Sequence, residues 1–129
     1  MRPPRRQLAL LYAELPTDAN ATKAFDFALK ARDAYPDDAE IAKMLGILSY
    51  RRKLYPRSVE LFKEASAKRK GDGEILYYLG ETQYQLQQWS ECKAALEKAL
   101  ILKIPAAIAD PAKRTLAQCA DNIPESAQP

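Results

Sequence analysis

The chain has 129 residues, 47% hydrophobic and 29% charged, with a net charge of +3, two cysteines and no histidine. That length suits one domain. No apolar run approaches the roughly 18–20 residues a bilayer span needs, so membrane insertion is not expected, and so mild a charge does not by itself argue for nucleic acid.

Without histidine, the commonest general base and metal ligand is missing. Two cysteines outside any CxxC pair cannot form the usual zinc site, and neither GxxxxGK[ST] nor GxGxxG occurs to cradle phosphate. The chain is therefore expected to be non-catalytic, with no cofactor and no metal.

Arg2, Arg5 and Arg6 followed by Leu8-Ala9-Leu10-Leu11-Tyr12-Ala13 imitate a secretory leader. The apolar stretch is too short, lacks a small-residue cleavage site and is stopped by Glu14 and Pro16. Asn20 then caps a helix predicted to run to about Tyr35, where Pro36 stops it. Asp37 and Glu40 have capping-box spacing for a helix from Ala39 to about Arg52, with Ile41, Leu45 and Leu48 on one apolar stripe. Pro56 suits the first turn of the next helix, which turns Val59, Leu61, Phe62 and Ala65 inward and stops at Gly71-Asp72-Gly73.

A helix from Glu74 to about Leu86 carries Ile75, Leu79, Thr82 and Leu86 on one stripe, and Gln87-Gln88 make a turn. The next, from about Trp89 to Leu102, buries Cys92, Leu96 and Ala99 before Pro105 ends it. Asp110 and Pro111 open a last helix to about Cys119, and the tail from Asn122 is expected to be disordered. For Cys92 and Cys119 the expected role is a small buried hydrophobe, with a bridge or a reactive thiol as the alternative.

Much of this pattern occurs twice. Leu45-Gly46 recurs as Leu79-Gly80, 34 residues on, and at the same interval Glu40 recurs as Glu74, Ile41 as Ile75, Tyr50 as Tyr84 and Ala65 as Ala99, with Tyr55 in register with Trp89. Such a period signals stacked helical hairpins. The chain resembles the tetratricopeptide repeat, whose signature pairs Leu-Gly in a first helix with Ala-x3-Phe-x2-Ala in a second. The matches are Leu45-Gly46 with Ser58, Phe62 and Ala65, then Leu79-Gly80 with Cys92, Leu96 and Ala99. An earlier unit places Leu8-Ala9 and Tyr12 before Ala24, Ala28, Ala31 and Pro36. Its Leu8-to-Leu45 interval of 37 residues predicts a longer loop around Pro16-Thr17-Asp18. The pattern departs from the family where Ala42 and Leu76 replace an aromatic, and where Ser49 and Gln83 stand one place before Tyr50 and Tyr84.

The resemblance implies an all-α, right-handed superhelical stack of antiparallel helix-turn-helix units. These would form a single domain over 1–121, with units at about 2–38, 39–72 and 73–106, a capping helix at about 110–121, and a tail at 122–129. The opening segment is similar to the last repeats of long bacterial proteins of this family, some tied to export or assembly of surface polymers. No compartment is fixed: cytoplasmic, or periplasmic for a piece of an exported protein.

In the family the first helices line a concave groove that takes extended or helical peptides. Transferred here, the groove residues are Lys43, Met44, Ile47, Tyr50 and Arg51 on one helix and Tyr77, Tyr78, Glu81, Tyr84 and Gln85 on the next. Tyrosine is a favoured anchor at interfaces. Met44 and Tyr78 are divided between groove and interior; Tyr77 and Tyr84 are read as groove. The implied function is a protein–protein interaction module with a protein or peptide partner, within a larger scaffold or assembly protein. A spacer that self-associates through its ends is the alternative, and an RNA-binding repeat the third reading. Arg51-Arg52-Lys53 and Lys68-Arg69-Lys70 each close a helix, where cations complement the helix dipole, so no nucleic-acid partner is expected.

Overall fold

In the computed structural model, which describes residues 18–124, six helices and no strands occur among the described residues. They are α1 (Asp18–Ala34), α2 (Ala39–Arg51), α3 (Tyr55–Lys68), α4 (Gly73–Gln85), α5 (Trp89–Ile101) and α6 (Ala106–Asn122). They fall into two compact units, the first ending at Lys68 and the second starting at Arg69. The opening segment with Leu8-Ala9 and Tyr12, and the tail beyond residue 124, lie outside the described residues.

In the first unit α2 packs against both α1 and α3. Its capping residue is Asp38 rather than Asp37: the Asp38 carboxylate accepts from the Glu40 and Ile41 N–H groups at 2.9 and 3.1 Å. This satisfies donors that the first helical turn cannot. The Asp37 carbonyl instead accepts from Lys68 Nζ at 2.6 Å. Ile41, Leu45, Leu48, Phe62 and Ala65 are buried as the stripe predicts, together with Ala24, Ala28 and Ala31 of α1. Gly46 lets α2 and α3 close up, since a Cβ there would stand 2.7 Å from Phe62 Cε1. Beside it Ser58 Oγ donates to the Gly46 carbonyl at 2.8 Å. Bidentate pairing of Arg32 with Glu64 joins α1 to α3; that hydrogen bond first, and the guanidinium charge second, hold the Glu64 carboxyl below its ordinary range against the opposing effect of burial.

The second unit repeats the hairpin locally. Asp72 caps α4 through the Glu74 and Ile75 N–H groups. A Cβ on Gly80 would meet Leu96 at 2.6 Å. Gly73, read as part of the turn before a helix starting at Glu74, is the first residue of that helix. It is buried where a Cβ would lie 2.6 Å from Ile104 Cγ2.

The turns inside the two hairpins share one construction. Lys53 and Gln87 have φ of 62° and 58°. In each turn the next residue's N–H reaches back to the helix: Leu54 to the Ser49 carbonyl at 2.8 Å and Gln88 to the Gln83 carbonyl at 2.9 Å. This is the Schellman closure of a helix end, which glycine usually occupies because side chains disfavour the left-handed region. Gln87→Gly is therefore expected to raise stability by up to about 1 kcal/mol, read as a higher urea midpoint. An unchanged or lower midpoint contradicts it.

Three boundaries differ from expectation. The first helix starts at Asp18, not after Asn20, and the last starts at Ala106, four residues before Asp110. Pro105 precedes α6 as its cap position, and Pro111 lies inside the helix, where it has no N–H for the carbonyl four residues earlier. The tail was expected to begin at Asn122, but Asn122 ends α6 and Ile123 is buried, its N–H bonded to the Ala120 carbonyl at 3.2 Å.

Candidate partner-binding faces

On α2, Lys43, Ile47 and Tyr50 are half-buried and Arg51 is exposed. Met44, divided between groove and interior by the sequence, is buried at 3% exposure. Tyr50 packs against Tyr55 across the hairpin turn, with ring centroids 5.7 Å apart. Thirty-four residues on, Tyr84 meets Trp89 edge to face at 5.6 Å. The recurring aromatics thus build a turn contact in each unit, a use the spacing alone does not reveal. Neighbouring Arg52, at the end of the predicted apolar stripe, is exposed and sets its guanidinium 4.7 Å from the Phe25 ring centre, a cation–π contact.

On α4, Tyr78 is half-buried and Gln85 exposed. Tyr77 and Tyr84 were read as groove residues. Both are half-buried and pack against the core cluster of Cys92, Leu96, Ala112 and Cys119, which α5 and α6 supply. Their packing has a simple cause: α6 packs on α4 as well as on α5. Glu81 is buried there too, its Oε2 accepting from Thr115 Oγ1 of α6 at 3.1 Å. Its Oε1 has no hydrogen-bond partner. Burial pushes the Glu81 carboxyl above its ordinary range, against the smaller opposing effects of Thr115 and Arg114.

A carboxyl with a raised folded pKa binds its proton more tightly in the fold, so it disfavours folding at neutral pH. That penalty disappears as pH falls below the unfolded value. Glu81→Gln keeps an acceptor for Thr115 and removes the buried charge. The variant is expected to be more stable than the parent at pH 7 and indistinguishable from it below about pH 4. Thermal melts at the two pH values check this, and equal melting at pH 7 contradicts it.

Cys92 and Cys119 are both buried, as expected, but the expected free thiols are instead joined in a disulfide. Their Cα atoms lie 6.4 Å apart, within the span a bridge requires. Cys92 occupies the position at which Ser58 makes its hydrogen bond in the first unit. Its backbone lies close to α4, where a Cβ on Gly80 would stand 3.4 Å from the Cys92 carbonyl oxygen, and its sulfur is bonded to Cys119 of α6. Among the described residues no group of three or more His, Cys, Asp or Glu side chains could hold a metal ion. No described helix is long and apolar enough to cross a membrane.

No family model and no curated protein matches the sequence. Solved structures do match. The first repeat domain of Spaghetti (RPAP3), bound to the HSP90 peptide SRMEEVD, has a TM-score of 0.73 and 20% identity, over 90% of this chain and 93% of that one. The chain has the tetratricopeptide-repeat fold. The Yersinia enterocolitica type III secretion chaperone SycD, in complex with a peptide of the translocator YopD, gives a TM-score of 0.74 at 13% identity, covering 88% of this chain and 90% of SycD. The first tetratricopeptide-repeat domain of human RPAP3 gives 0.69 at 18% identity, over 92% and 99%. In this fold Leu45-Gly46 and Leu79-Gly80 mark first helices, α2 and α4, and Phe62 and Leu96 mark second helices, α3 and α5.

Proposed function

We propose that the chain is a non-catalytic protein-binding module that takes a peptide or partner helix on the face of α2 bearing Lys43, Ile47 and Arg51, within a larger scaffold or assembly protein. The observation that carries this reading is that an apolar side chain, Ile47, sits half-buried beside Lys43 and Arg51 on a first helix. Two proteins of similar fold, the first repeat domain of Spaghetti (RPAP3) and SycD, are complexed with peptides. An apolar anchor with charged neighbours is the usual composition of a specific contact.

The test compares Lys43→Glu, Ile47→Asp with the native chain for partner capture from the source cell, after circular dichroism confirms equal helix content. Loss of the captured protein is expected; equal capture places binding elsewhere.

The acidic-tail peptide held by the Spaghetti domain is not an expected ligand. The family's clamp for such tails uses Lys, Asn and Arg, and this chain carries Met44, Glu74 and Tyr78 at positions matching that clamp; the other two, Arg6 and Leu10, lie outside the described residues. Met44 is buried and Glu74 adds a carboxylate beside the capping Asp72. Titration calorimetry with SRMEEVD is expected to show no binding, and a micromolar Kd would contradict the assignment.

A further inference from the structure

Three features of the second unit converge on α6. It is a weak helix on its own terms: no side chain caps its start, its first turn lacks an acidic residue, its last turn lacks a basic one, and Pro111 lies in its interior. Each omission removes a source of local helix stability, and the internal proline opposes helix formation directly. By contrast, α4 has the Asp72 cap and Glu74 in its first turn.

What α6 covers also opposes its closure. Beneath it lies the Glu81 carboxylate, buried with Oε1 unpartnered, a group that opening would return to water. The covalent link to Cys92 of α5 works in the other direction: it keeps Cys119, three residues from the end of α6, at the core cluster whatever the helix's own preference.

We propose that α6 is a redox-held cover of the second unit, fastened by the Cys92–Cys119 disulfide and released when a dithiol reduces it. In the exchange a thiolate of the reductant attacks one sulfur and forms a mixed disulfide. Its second thiolate then displaces that bond, leaving two cysteine thiols on the protein and a disulfide on the reductant. Two electrons and two protons pass to the protein. Both cysteines are buried, so attack follows a local opening of α6 rather than preceding it. Once reduced, the helix still has its apolar contacts through Ala112 and Leu116 and the Thr115–Glu81 hydrogen bond. Release uncovers Tyr77, Glu81 and Tyr84 of α4. That this uncovered face then serves a partner rests on the binding reading above; the opening of α6 does not.

Amide hydrogen exchange on the whole chain, with and without dithiothreitol, tests the cover without any partner present. Reduction is expected to speed exchange across 106–122 at least tenfold, with α4 and α5 retaining protection and α2 and α3 changing less than twofold. Cys119→Ala without reductant is expected to give the same pattern, and dithiothreitol is expected to add nothing to it. Unchanged protection of α6 on reduction overturns the proposal. Loss of protection in α4 and α5 equal to that in α6 also overturns it, because α6 would then be no separate cover.

Discussion

Phe62→Ala is expected to destabilise the chain by about 3–5 kcal/mol, the range for deleting a fully buried aromatic ring. At about 4 °C per kcal/mol for a chain of this length, a melt should fall by roughly 12–20 °C. The size of the effect follows from what surrounds the ring. Phe62 has no exposed surface and lies where the missing Cβ of Gly46 would otherwise be. The neighbouring Ser58–Gly46 hydrogen bond holds the two backbones at that separation. Gly46→Ala should therefore be destabilising alone and much less so in the Phe62→Ala background, because the new methyl enters space the ring has vacated. A double-mutant cycle on the pair is expected to show coupling of at least about 1 kcal/mol. Additive effects, or a fall of only a few degrees for Phe62→Ala, would contradict the register that pairs these residues.

Loss of the Cys92–Cys119 bridge is the second large effect. Closing a segment with a sequence separation of 27 residues removes chain entropy from the unfolded state equivalent to roughly 3.5 kcal/mol. Cys92→Ala, Cys119→Ala is expected to lower the melting temperature by on the order of 10 °C relative to the oxidised parent. A reductant should lower the parent similarly and leave the variant unmoved. Equal melting of oxidised parent and variant would contradict a bridge that stabilises the second unit.

The hairpins were legible in the sequence because their determinants are local. Leu45-Gly46 and Leu79-Gly80, the apolar stripes, and the small residues opposite them each act within one or two helices, so spacing carries the information. The cap of α2 was misplaced by a single residue, since Asp37 and Asp38 both offer a suitable carboxylate and only backbone geometry selects Asp38.

The candidate faces were less legible, for a different reason. A periodic pattern identifies which side of α4 turns away from α5, but not which helix lies against that side. Tyr77, Glu81 and Tyr84 looked solvent-facing until α6 was placed over them. The same helix was read too short because Pro111 resembles a first-turn proline, and its true start after Pro105 has no capping side chain to advertise it. The bridge was illegible for a related reason: a separation of 27 residues says nothing about proximity until both elements are packed. Buried Ser49 and Gln83, each with an oxygen lacking a partner, stand where the family has an aromatic.

What survives as an accessible face is smaller than the pattern suggested, and Ile47 lies at its centre. A photo-crosslinking residue placed at position 47, compared with one at exposed Glu97 on α5, measures directly which side of the fold a partner meets. With the source-cell partner present, an adduct from position 47 and none from position 97 is the predicted result. An adduct from position 97 alone would contradict binding on the first-helix face.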